Sequence, residues 1–384
     1  MQIIHAFSFY IYIQENTFVQ FYMNFTDNRR TELGHPYADF VKACTFRGKD
    51  CNTESFFLVS FSPNYGNCYT FNLKHNPQDT FGGERLSSQT GPSFGLSLVL
   101  NINQADYMSN GFTANGGARV SIQSSDDFAL PDEFGMDVFP STTTNFAIRQ
   151  VTYTRLQSPY ASNCTTSWQE TIYTSFPTTE ERPYSINRCK RYCLQETIMN
   201  TCSCYHPLYV EEDDDKLNYR PCQISAGKDF DCIDQIIQDY EVQTRVCPCN
   251  AACLETEYEM LLSTSQWPST KYQDAAIKEF MMDSLPPNPD GVQPSPTDEQ
   301  KTTAGENLIH INVYFSSLNS KSISEVMDFS STDGTLISGL GGVLSMYLGI
   351  SVCQLLELFE LLMDLILNTY QYCSGRALGR EYLI

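Results

Sequence analysis

A chain of 384 residues is long enough to bury a large core and to hold more than one subdomain. Its net charge of −21 excludes nucleic acid as a partner and points instead to cations. Fifteen cysteines are too many for a reducing compartment unless they bind metal.

Residues 1–40 read as strand-like aromatic sequence followed by a polar helix over Thr26–Leu33, with Thr26 as its N-cap. Met1–Ile13 is apolar, but it lacks a basic leader and a small-residue cleavage site. It also contains His5 and is too short to span a bilayer, so the natural N-terminus is expected to lie upstream. Residues 41–125 alternate apolar and polar with Gly and Asn punctuation, which predicts strands and tight turns, for example over Gly95–Ile102 and Gly117–Gln123. Another strand is predicted at Asn145–Thr154. From Tyr184 to Cys253 the pattern turns helical and cysteine-dense. Glu255–Ser265 has helix-forming composition, and Asp274–Met282 predicts a second short helix. Ser284–Thr297 is a Pro-rich polar loop, and Leu308–Phe315 is a β run leading into an apolar segment. No internal repeat is present. The acidic runs Glu211–Asp215 and Asp126–Asp127 read as solvated surface.

The cysteine spacings Cys189-x3-Cys193, Cys202-x-Cys204 and Cys247-x-Cys249-x3-Cys253 lack zinc-site regularity, and His206 stands alone near them. Disulfides in an extracellular setting are the better account, and no metal site or cofactor is expected. Glycosylation acceptors at Asn24 and Asn163 agree with that setting. Thirteen cysteines precede the apolar segment, an odd number that leaves one thiol without a partner in this sequence. No nucleophile–base set stands out, and no enzyme activity is expected.

The segment Leu336–Leu367 is longer than the roughly 20 apolar residues needed to span a bilayer. At about 100° per residue, Cys353, Gln354, Glu357, Glu360 and Asp364 share roughly a third of the helix circumference. Leu355, Leu358, Phe359, Leu362 and Ile366 lie on the other side. Acidic groups at membrane depth face a bundle interior or a water-filled path. The plainer reading is an anchor whose polar end lies near the headgroups.

Seven blocks, in order, resemble the epithelial sodium channel/degenerin family, which includes the acid-sensing channels. They are Cys44–Cys51, Tyr65–Asn72, Gly91–Leu98, Gly117–Val120, Leu254–Glu259, Ser265–Ser269 and the terminal run with its Gly349-Ile350-Ser351. The resemblance implies an α+β, disulfide-rich, hand-like ectodomain with a central β-sheet and a helical thumb, followed by one transmembrane helix. It divides the chain into an extracellular domain at 1–335, a pore-lining helix at 336–367 and a short cytoplasmic tail at 368–384. Within the first, the cysteine-rich helical part covers about 164–285 and the Pro-rich loop 284–300. The family's other membrane helix would precede this sequence.

The resemblance also implies site residues. Gly349, Ile350 and Ser351 would form the selectivity filter, Ser345 the amiloride contact and Gly339 the degenerin position at the pore mouth. Glu357, Glu360 and Asp364 would line the inner pore, and Tyr160 would sit at the gating joint between ectodomain and membrane. The implied disulfides are Cys44–Cys51, Cys164–Cys253, Cys189–Cys249, Cys193–Cys247, Cys202–Cys232 and Cys204–Cys222, with Cys68 left over. The expected function is a subunit of a homo- or hetero-trimeric, amiloride-sensitive, sodium-selective channel in the plasma membrane, in contact with lipid and sodium ions. The alternative is a non-conducting, membrane-anchored ectodomain that binds an extracellular ligand or channel partners.

Overall fold

The structure, a computed structural model, describes residues 16–74, 76–79, 84–107, 114–127, 131–173, 183–209, 219–281, 295–326, 335–348 and 352–378. Contacts divide the chain into two units, Met1–Ser324 and Glu325–Ile384. The first begins, among the described residues, with a helix at 16–23 (α1), where the aromatic composition predicts a strand. Val19, Tyr22 and Met23 recur there at helical spacing and are buried. The polar helix follows as α2 (Asp27–Leu33), with Thr26 at its N-cap position but making no side-chain capping bond. A short helical turn, α3 (Tyr37–Phe40), leads into the first strand.

The central sheet is built from β1 (Val41–Phe46), β2 (Lys49–Asp50), β5 (Leu96–Asn101), β8 (Thr142–Thr154), β11 (Leu254–Gln266), β12 (Leu308–Phe315) and β13 (Lys321–Ser324). Its order is β11-β8-β12-β5-β1-β2, with β13 also paired to β8. Three two-stranded ribbons accompany it: β3 (Phe57–Ser62) with β4 (Gly66–Phe71), β6 (Ala118–Val120) with β7 (Met136–Val138), and β9 (Cys204–Tyr205) with β10 (Arg220–Pro221). The remaining helices of this unit are α4 (Pro131–Phe134), α5 (Ile186–Cys202), α6 (Lys228–Glu241), α7 (Gln273–Phe280) and α8 (Asp298–Asn307). The described part is thus α+β, as the sequence leads one to expect.

Period-two alternation sorts side chains between the two faces of the sheet. Ile309 and Ile311 of β12 join Phe146 and Ile148 of β8, Leu100 of β5 and Phe57 of β3 in one core. Val99 and Leu308 point the other way and pack against Ala276, Ile277, Phe280 and Ala304 of α7 and α8. Gly95 lets β12 pass close by, because a Cβ there would collide with the Val313 carbonyl oxygen. Just upstream, Gly91 has φ +94°, a conformation suited to glycine, and its N–H donates to the Phe315 carbonyl at 3.1 Å.

One segment contradicts its composition. Leu254–Gln266 is not a helix but the 13-residue strand β11, antiparallel to β8 from Leu254↔Thr154 to Gln266↔Thr142. Glu, Leu and Met favour helices only weakly, and tertiary pairing overrides that preference. The period-two signal is visible in retrospect. Tyr258 and Met260 pack onto the core, while Glu257 and Glu259 on the alternate face are exposed. Charge on an edge strand also discourages pairing with another chain.

Six disulfides join the pairs Cys44–Cys51, Cys164–Cys253, Cys189–Cys249, Cys193–Cys247, Cys202–Cys232 and Cys204–Cys222. These coincide with the pairs the resemblance implies. Two of them have a simple geometric basis. Cys189 and Cys193 are four apart on one face of α5, and Cys247 and Cys249 are two apart in a tight turn where Cys249 N–H donates to the Cys247 carbonyl at 2.8 Å. The two rungs therefore stack, each with a Cα–Cα distance of 5.9 Å.

The second unit contains two described helices, α9 (Thr335–Leu348) and α10 (Val352–Leu378). The helix expected over 336–367, with its break expected at Gly349–Ser351, is described on either side of those three residues, which lie outside the described ones. No helix among the described residues is long and apolar enough to cross a membrane. The reasons are physical: α9 has only 14 residues, and the apolar part of α10 is interrupted by Glu357, Glu360 and Asp364.

Candidate functional site

The acidic stripe lies on α10. Glu357, Glu360 and Asp364 fall within about 60° of one another around the axis and climb about 10 Å along it. Every described side chain from Cys353 to Tyr372 is exposed, the apolar ones included, with Leu358 at 60% and Phe359 at 63%. A helix apolar around most of its circumference is normally covered by protein or lipid. Asp364 opens on a shallow groove shared with Asn368, Thr369 and Tyr372. On α9, Ser345 is exposed and Gly339 half-exposed, about 120° apart around the helix, so the two do not share a face. Gly349, Ile350 and Ser351 lie outside the described residues.

In the first unit Tyr160 is half-exposed in a turn, its N–H donating to the Gln157 carbonyl and its carbonyl accepting from Asn163 N–H, both at 3.1 Å. Asn24 and Asn163 are both exposed. Cys68 has no disulfide partner, and burial pushes its thiol up to about 12. Of the Pro-rich loop expected at 284–300, residues 284–294 lie outside the described residues and 298–300 belong to α8, and the acidic run Glu211–Asp215 lies outside the described residues.

Several charged groups have more work to do than their sequence context suggests. Asp126 pairs with Lys74 at 2.7 Å, and Asp127 reaches the buried guanidinium of Arg188 at 3.3 Å, so this pair is not merely solvated surface. Arg85 is ion-paired to Asp79 with both side chains largely buried, and it stacks over Phe56 at 4.3 Å. On β11, partial desolvation of the largely exposed Glu257 carboxyl raises it, and neighbouring Glu255 raises it further, against a smaller opposing pull from Arg155. None of these carried a sequence motif, because each depends on contacts between distant segments.

His206 is held by a two-way clamp with Gln195, its N–H donating to Gln195 Oε1 at 2.9 Å and its carbonyl accepting from Nε2 at 3.2 Å. Its ring stacks on Tyr209 and its Nδ1 accepts from Leu208 N–H. Burial, then the nearby Arg191, hold the imidazole down to about 4. It is a structural histidine rather than a metal ligand. No cluster of potential metal ligands occurs among the described residues.

A cavity of about 1990 Å³ opens within the first unit between the central sheet and the β3–β4 and β6–β7 ribbons. Aromatic rings including Tyr69, Phe71 and Tyr258 line it. The carboxylates of Asp39, Glu84, Asp106, Asp126, Asp127 and Asp137 outnumber the guanidinium groups of Arg85 and Arg119 there. Such a lining suits a cation better than an anion.

A cystine-stapled α+β domain followed in sequence by apolar helices with a carboxylate stripe defines a recognisable class of architecture. The chain belongs to the amiloride-sensitive sodium channel family, whose sequence model matches residues 5–361. It is 27% identical to degenerin unc-8 of Caenorhabditis elegans over 360 residues, covering 92% of this chain and 43% of that protein. It is 28% identical to degenerin deg-1 of the same organism, covering 89% of this chain and 40% of that one. It is 26% identical to the human epithelial sodium channel subunit beta, covering 87% of this chain and 49% of that one. The chain thus spans less than half the length of these relatives. Members of the family are ion channels of the plasma membrane, not enzymes, and are assembled from several subunits. They need no cofactor, sodium being the transported species.

Proposed function

We propose that this chain is a subunit of a trimeric, amiloride-sensitive, sodium-selective channel, with a hand-like extracellular domain and a pore built from α9 and α10. The observation that carries this reading is the acidic stripe on a fully exposed apolar helix, in a chain of this family. In a threefold assembly Glu357, Glu360 and Asp364 form rings that concentrate cations at the inner mouth, while the leucine-rich face meets lipid. Gly349, Ile350 and Ser351 supply the small groups that let three helices approach and replace part of the sodium hydration shell. Ser345 faces the outer mouth, Gly339 lies at the same mouth on another face of α9 where a neighbouring helix packs, and Tyr160 couples the extracellular domain to the pore. Partners are two further subunits of the same or related sequence, surrounding lipid and sodium ions.

The test is voltage-clamp recording from cells expressing the chain with family subunits. Amiloride should block a sodium current, and substitution of Gly349 or Ser351 should lower the preference for sodium over potassium. Unchanged selectivity in both variants would remove the filter assignment.

A second reading draws on the acidic, aromatic cavity: a non-conducting, membrane-anchored domain that binds an extracellular cationic ligand or channel partners. Saturable binding of such a ligand without any current would favour it.

A further inference from the structure

The glycosylation acceptor Asn163-Cys164-Thr165 is tied into a disulfide, and its three residues have very different surroundings. Asn163 is exposed, with its backbone in the left-handed region at φ +41°. Cys164 is buried and bonded to Cys253. Thr165 is only 6% exposed. Its N–H donates to the Ala251 carbonyl at 2.9 Å, and its carbonyl accepts from Cys253 N–H at 3.0 Å. The Tyr184 hydroxyl donates to the Asn250 carbonyl at 2.7 Å, in the same segment that carries Cys253.

Oligosaccharide transfer to an acceptor of this type requires the asparagine amide and the hydroxyl two residues on to be presented together. In the folded domain the amide is open while Thr165 is buried and both its backbone groups are bonded to the segment carrying Cys253. Asn24 offers the opposite case: both it and Thr26 are exposed, and the Thr26 side chain makes no capping bond.

We propose that Asn163 accepts its glycan only before the Cys164–Cys253 bridge closes, so that glycan transfer and disulfide closure compete during folding. This rests on the extracellular reading of the first unit. In the transfer, Asn163 Nδ2 forms a bond to the terminal sugar of a lipid-pyrophosphate-linked oligosaccharide. The lipid pyrophosphate leaves, and the amide gives up one proton. In the competing step, the Cys164 and Cys253 thiols lose two protons and two electrons to the disulfide of a thiol oxidoreductase, which becomes a dithiol. Cys253 lies 89 positions downstream of Cys164. At about 5–20 residues per second, synthesis leaves Asn163 open for roughly 4–18 s before its lock is made. A glycan added in that window does not obstruct the bridge, since the Asn163 side chain faces solvent. A bridge made first leaves Asn163 bare.

The experiment uses the full chain with Asn24 as internal control. It is expressed in animal cells, and occupancy at both acceptors is read by mass spectrometry of glycopeptides. Unglycosylated, oxidised protein from tunicamycin-treated cells is then purified in detergent and given oligosaccharyltransferase with lipid-linked donor. The expected result is modification of Asn24, with Asn163 at least about tenfold less modified. In the Cys164→Ser, Cys253→Ser double variant, which keeps the acceptor as Asn-Ser-Thr, Asn163 should approach the level of Asn24. Mapping of the other five bridges checks that the variant keeps its fold, and mild reduction of the native protein gives a second opening of the same lock. Equal modification of both sites in the oxidised native protein overturns the inference. So does an Asn163 that stays unmodified after the bridge is removed or reduced. Absence of glycan at both acceptors in cells instead overturns the extracellular reading on which the inference stands.

Discussion

At the scale of single residues, burial converts ordinary side chains into determinants of stability. His206 releases its proton at about pH 4 in the folded chain, against about 6.5 when unfolded. Between those values the unfolded state binds more protons, so stability is complete above pH 6.5 and is lost as pH falls toward 4. The full effect is on the order of 3 kcal/mol. His310 adds to it in the same direction, its pKa being lowered by burial between the Ser97 and Thr143 hydroxyls. Melting temperature measured across this window should fall with acidification. A His206→Gln variant should be less stable at pH 7 but show a shallower slope, and an unchanged slope would show that His206 does not carry the effect. None of this is legible in the sequence, where His206 stands apart from any motif. Its environment comes from Gln195 and Tyr209 folding around it.

At the scale of elements, legibility depends on whether one face of the segment sees one environment. Leu308–Phe315 was readable to the residue because its isoleucines alternate with polar side chains, and β12 has those bounds. The short helix predicted at Asp274–Met282 is described as α7 (Gln273–Phe280), and α5 (Ile186–Cys202) lies in the stretch from Tyr184 that reads as helical. Glu255–Ser265 was not readable as a strand, because an edge strand with an exposed face keeps the Glu and Leu content of a surface helix. The close approach of β5 to β12 at Gly95 was likewise invisible as a requirement for a missing side chain. Gly95→Ala should push β12 outward and cost on the order of 1–3 kcal/mol. Chemical denaturation would measure this, and a loss below about 0.5 kcal/mol would mean the strands have room to spare.

At the scale of the whole molecule, the ordered blocks carried the family, and the bridges follow the same plan. The three positions proposed as the filter, Gly349, Ile350 and Ser351, were read only from the resemblance and lie outside the described residues, while the acidic cavity became visible only once distant loops were brought together. Removing one bridge tests how far the covalent frame sustains the fold. Replacing Cys189 and Cys249 by alanine opens a loop of 60 positions in sequence but only about seven residues while Cys193–Cys247 stays closed, so it should cost about 2 kcal/mol on loop entropy alone. Urea unfolding of the double variant would check this, and no loss would indicate that the remaining bridges already constrain the unfolded chain.

That last outcome has a structural root in the nesting of the bridges on α5. Of the two stacked rungs Cys193–Cys247 is the inner one, itself enclosing Cys202–Cys232 and Cys204–Cys222, and Cys189–Cys249 lies four positions out on one strand of the ladder and two on the other. Once the inner pair has closed, its neighbour no longer searches through 60 residues but through a handful, and the entropic barrier to its formation falls accordingly. The ladder therefore closes like a zipper started from the inside. Early pairing of Cys193 with Cys247 would select the correct partners for the cysteines behind them, making oxidative folding of this region a problem of finding one contact rather than three.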